Sequence, residues 1–163
     1  MRKIFGLFTT ILFLHGCATV PQESNTPTDD IATAGIPLCQ PNEQCPILSA
    51  RWNPENKNQL RINVRLNSSY LYYDIKKVIF IVDGKHLAYK PAQPTVLRSV
   101  SRLEPRRSSN YILVPSSFLT QFKNAKSIDI QINTDHGPIK RAMYKDGQQS
   151  SAYKNFIDVY NKS

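Results

Sequence analysis

Glycine is scarce in this 163-residue chain: there are six, and they do not cluster. That excludes a glycine-rich loop whose backbone N–H groups could cradle a phosphate. Histidine is scarcer, at three. His15, His86 and His136 form no H-x-x-x-H pattern, and neither His86 nor His136 lies in a G-x-S-x-G or S-x-x-K pattern. His136 stands between Asp135 and Gly137 in a turn, and His86 follows Asp83-Gly84, so both are expected at loop tips. The carboxylates (Asp74, Asp83, Glu104, Asp129, Asp135, Asp146 and Asp158 among them) are scattered, with no pair spaced for acid–base work. An enzyme needs a nucleophile, a base or a metal held by convergent groups. No such set is recognisable, so the expectation is a noncatalytic protein without metal or cofactor.

Negative charge is also in short supply. Twelve Asp and Glu face 21 Lys and Arg, for a formal net charge of +9. A basic balance favours anionic partners. Arg98, Arg102, Arg106 and Arg107 crowd around Glu104-Pro105. Arg98 and Arg102 share a face if the segment is a strand, and Arg106-Arg107-Ser108-Ser109 reads as a loop. Guanidinium forks there could bind an anion; the plainer alternative is a solvated strand face. Tyr70, Tyr72 and Tyr73 form an aromatic cluster suited to edge packing with wet hydroxyls or to glycan contact.

The one marked apolar run is short. Ile4 to Leu14 spans about eleven residues behind Arg2 and Lys3, the arrangement of a cleaved secretory signal. A helix crossing a bilayer needs roughly 20 apolar residues. The run ends in Leu14-His15-Gly16-Cys17, which resembles the lipobox of bacterial lipoproteins. The resemblance implies cleavage between Gly16 and Cys17, a diacylglyceryl group on the Cys17 thiol and acylation of the new amino terminus. At ~0.8 kcal/mol per buried CH₂, two or three chains anchor firmly. Ala18 stands where Asp would signal retention at the inner membrane, which implies an outer-membrane destination facing the periplasm.

An envelope address changes the other inferences. Arg2 and Lys3 leave with the leader, taking the charge from +9 to +7. The expected anionic partners become lipopolysaccharide, phospholipid or a cell-wall polymer instead of nucleic acid. With Cys17 lipidated, Cys39 and Cys45 remain as an even pair in an oxidising compartment. They flank Gln40-Pro41-Asn42-Glu43-Gln44, a turn-rich stretch. A disulfide there is expected to stabilise by ~2–2.5 kcal/mol. The alternatives are zinc, for which histidine neighbours are lacking, and redox chemistry, for which the C-x-x-C spacing is lacking.

The chain divides into a signal peptide (1–16), a lipidated flexible tether (17–36) and one β-rich domain (37–163). The tether is rich in Thr, Pro, Ser and Asp, cannot bury a core, and has an r.m.s. reach of about 25 Å. In the domain, Leu60, Ile62, Val64 and Leu66 alternate with Arg61, Asn63 and Arg65, as do Ile128, Ile130 and Ile132 with Asp129, Gln131 and Asn133. That period of two predicts half-buried strands. Val78 to Val82 is continuous enough to predict a strand covered on both faces. Asp83-Gly84 predicts a hairpin. Strands are also expected at 47–52, 96–103, 111–114 and 139–144. Phe118, Leu119, Phe122 and Ala125 predict a helix capped from Pro115-Ser116-Ser117. Tyr153, Phe156, Ile157 and Tyr160 predict a C-terminal amphipathic helix. The fold expected is mainly β, a sandwich or curved antiparallel sheet with two short helices.

Three functions fit these features. In order of preference they are an accessory protein docking another envelope protein, a binding module for an anionic envelope ligand using Arg98, Arg102, Arg106 and Arg107, and a hydrolase with an unrecognised site.

Overall fold

Alternation along the strands decides the architecture. A computed structural model of the chain describes residues 34–53, 55–56, 58–99 and 104–161. Ten strands form two antiparallel five-stranded sheets. The first has the order β1 (Ala34–Gly35), β2 (Ile47–Trp52), β3 (Gln59–Ser68), β7 (Arg106–Pro115), β6 (Val96–Arg98). The second has the order β10 (Gln148–Gln149), β9 (Gly137–Lys145), β8 (Ser127–Thr134), β4 (Ile75–Val82), β5 (Lys85–Tyr89). Leu60, Ile62, Val64 and Leu66 of β3 are buried, as are Ile128, Ile130 and Ile132 of β8. Each sheet thus turns one apolar face to a shared core and one polar face outward, the β-sandwich expected.

The middle of the core is aromatic. Phe80 of β4 lies 4.8 Å from Phe118, and Phe122 stacks on Phe156 at 6.0 Å. Phe156 belongs to α1 (Ser151–Asn161), which packs on β1, β2 and β9. Ser150 caps this helix, its Oγ accepting the Tyr153 N–H at 3.0 Å. The buried stripe is Ala152, Tyr153, Phe156 and Val159. Ile157 and Tyr160, expected in that stripe, are half-buried at its border.

Four expectations are corrected. Ser116–Gln121 is a short 3₁₀ helix without a side-chain cap. Phe118, Leu119 and Phe122 are buried as expected, but the segment closes with an i→i+3 bond, the Phe122 N–H donating to the Leu119 carbonyl at 3.0 Å. In β4, Val78, Phe80 and Val82 are buried while Ile79 and Ile81 are only half-buried, because an antiparallel sheet of a sandwich covers one face. Arg106 to Ser109 opens β7 and pairs with Ser68 to Arg65. The polar side chains there resemble a loop, yet the ladder satisfies their backbone groups. Ala34 and Gly35, assigned to the tether from composition, pair with Ser49 and Leu48.

The tight turns follow their residues. Asp83 and Gly84 have φ of 47° and 81°, and Asp146 and Gly147 have 51° and 79°. Paired positive φ values give the two-residue hairpin turn that matches strand twist. Asp83 also binds beyond its own turn, its carboxylate accepting N–H bonds from Lys126 and Ser127, both at 2.8 Å.

Candidate anion-binding site

The strands of the first sheet carry six arginines and no acidic residue. Strand period and register place five of the six on the outward face. Arg61 and Arg65 project opposite to the buried Leu60, Ile62, Val64 and Leu66. Arg51 pairs with Arg61 across β2 and β3, and Arg98 pairs with Arg107 across β6 and β7. Like charges set directly opposite destabilise a sheet unless other groups offset them, so these two rows concentrate positive charge on one face.

Side chains on this face enclose an open groove of about 220 Å³. Arg61, Arg65, Arg98 and Arg107 line it, with Ser49, Asn63, Gln93, Ser109 and Tyr111 between them. None of the described lining residues is acidic. One wall is internally braced. The Arg61 guanidinium lies flat on Tyr111, 3.7 Å from the ring centre. Its Nε donates to Asn63 Oδ1 at 3.1 Å, and Asn63 Nδ2 donates to Ser49 Oγ at 3.2 Å. A guanidinium held this way is pre-oriented, which lowers the entropy cost of binding. No known protein family, curated protein or solved structure matches this chain.

The arginines singled out in the sequence separate. Arg98 and Arg107 meet in the groove. Arg106, one residue out of phase, leaves it: its Nη1 donates to the Tyr70 carbonyl and its guanidinium lies 5.3 Å from the Tyr72 ring centre. It braces the Tyr70–Tyr72 loop. Arg102 lies outside the described residues, as do Gly16 and Cys17. Arg51, Arg61 and Arg65 are not among the site residues that the sequence suggests. The signal for Arg61 and Arg65 is the alternation in β3, which predicts a half-buried strand; Arg51 joins them only through the β2–β3 register.

Cys39 and Cys45 form the expected disulfide. Its loop is docked on both sheets: Gln44 Nε2 donates to the Asn67 carbonyl at 3.0 Å, and Glu43 pairs with Arg141 at 3.3 Å. His86 and His136 are exposed on the second sheet, and neither lines the groove. Among the described residues, no three His, Cys, Asp or Glu side chains are grouped to hold a metal.

Proposed function

We propose that this protein is a noncatalytic, lipid-tethered module of the bacterial cell envelope that binds an anionic ligand on the outer face of its first sheet. The observation that carries this reading is the groove shared by Arg61, Arg65, Arg98 and Arg107, with no acidic residue among its described lining residues. Arginine forks match the geometry of carboxylate and phosphate oxygens. The site favours the anionic-ligand reading over protein docking, the reverse of the order of preference that the sequence suggests. The lipobox resemblance supplies the address, with Cys17 as the lipidated residue and the outer membrane as the destination. Lipopolysaccharide, phospholipid headgroups and cell-wall polymers are the anions available there.

The test is binding of soluble anionic polymers, polygalacturonate and inorganic polyphosphate, by the full lipidated chain in detergent, with and without Arg65→Glu and Arg98→Glu together. The reading expects salt-sensitive binding that the double variant abolishes. Binding that ignores both salt and the variant would sink it.

A second reading, docking to an envelope protein, has one observation in its favour. Tyr70, Leu71 and Leu97 are 81%, 43% and 51% exposed. They lie at one end of the first sheet, where Ser108 pairs with Leu97 and accepts the Tyr73 N–H. Crosslinking from Tyr70 in intact cells tests it.

A further inference from the structure

We infer that the ligand of the arginine face is a linear anionic glycan lying obliquely across the strands, with carboxylates or phosphates repeated along it. This deepens the proposed function and rests on it.

The register sets out the charges. Arg51 and Arg61 share one row, Arg65 lies four residues further along β3, and Arg107 and Arg98 share the row beyond it, where Arg107 pairs with Asn67. With strands ~4.8 Å apart and ~3.4 Å per residue, the series runs diagonally from Arg51 to Arg98 over about 25 Å. A single phosphate engages one or two neighbouring guanidinium groups. Charges strung over about 25 Å instead match an extended chain carrying several anions.

Three features select a glycan among polyanions. The groups between the arginines are hydroxyls and amides, those of Ser49, Asn63, Gln93 and Ser109, which pair with sugar hydroxyls. The Tyr111 ring, the one aromatic among the described lining residues, is covered by Arg61 at 3.7 Å and offers no free platform for stacking a base. The site is also recessed, with Ala34 and Gln93 contributing to its walls. A recess admits a chain, whereas a bilayer surface is broad and flat.

The experiment titrates the full lipidated chain in detergent with galacturonate and with oligogalacturonates up to the octamer. Inorganic polyphosphate of equal charge and glycerophosphoglycerol, the water-soluble headgroup of phosphatidylglycerol, serve as comparators. Each added contact becomes intramolecular once the first has formed, so affinity should rise ~100-fold from monomer to octamer. Arg65→Gln and Arg107→Gln should each remove most of that rise, and Arg65→Lys should restore part of it. Equal affinity for monomer and octamer, both lost in Arg65→Gln, would overturn the extended-chain inference and leave the anion site standing. Polyphosphate or the headgroup bound as tightly as the octamer would overturn the glycan assignment. Binding untouched by every arginine variant would overturn the site itself. Thermal melts of the variants, expected to match the parent, separate lost binding from lost folding.

Discussion

Arg98 and Arg107 face each other as direct partners across the β6–β7 ladder, at the end of a groove with no acidic residue among its described lining. Two cations in that relationship raise the energy of the unliganded sheet. Replacing one with a neutral β-former should relieve the repulsion. We expect Arg98→Thr to leave stability unchanged or raise it by ~0.2–1 kcal/mol in urea unfolding, while weakening binding of anionic ligands. A variant that lost stability would show that Arg98 holds the sheet together instead of serving a ligand.

Strand β1 meets α1 at a crowded point. A Cβ on Gly35 would sit 2.5 Å from the Ala152 nitrogen, in the turn where the Ile36 carbonyl accepts the Ala152 N–H at 3.1 Å. Backbone cannot yield as a side-chain tip can. Gly35→Ala should therefore push β1 off α1, at a cost of about 1–3 kcal/mol as for other overpacking changes. Faster amide exchange at Ile36 and Ala152, relative to the rest of the helix, is the expected signature.

The Cys39–Cys45 disulfide closes a loop that also has noncovalent anchors at Asn67 and Arg141. Serine at both positions should cost about 2 kcal/mol on the chain-entropy model. The domain is expected to stay folded, with a lower urea midpoint.

Asp135 gives the fold one acid-sensitive contact. Its carboxylate accepts the Asp74 N–H at 2.8 Å, and that bond, with the neighbouring His136, holds its carboxyl below the usual carboxylate range. A group depressed on folding contributes stability above its unfolded pKa, and that contribution fades as pH falls through the folded value. Asp135→Asn keeps an acceptor but cannot titrate. Its stability should fall less steeply than the parent's between about pH 5 and the more acidic end of the carboxylate range. Identical acid slopes would show that the Asp74 contact is equally strong with a protonated carboxyl.

For the lipid site, Cys17→Ala is expected to leave an unprocessed precursor that takes up no labelled fatty acid. A mutant that is still cleaved and labelled would place the modification elsewhere.

Local chemistry determined much of this molecule. Period-two alternation was enough to place β3 and β8 and to say which side of each is buried, because successive strand residues point to opposite faces. Asp83-Gly84 marks a turn because few other residue pairs tolerate two positive φ values. Cys39 and Cys45 were bound to meet, being so close in the chain that the turn between them does the work. The lipobox resemblance likewise sits in four adjacent residues. Elements that depend on neighbours distant in sequence were harder to see. Ala34 and Gly35 look like tether until β2 and α1 give them partners. Arg106 looks like a member of the basic patch until the strand phase turns it towards Tyr70. Only the tertiary structure brought Arg61 and Arg65 of β3 beside Arg98 and Arg107, more than thirty residues away in the chain. The ladder pairing that does so is nonlocal, chosen by which apolar faces bury together, and no spacing in the sequence encodes it.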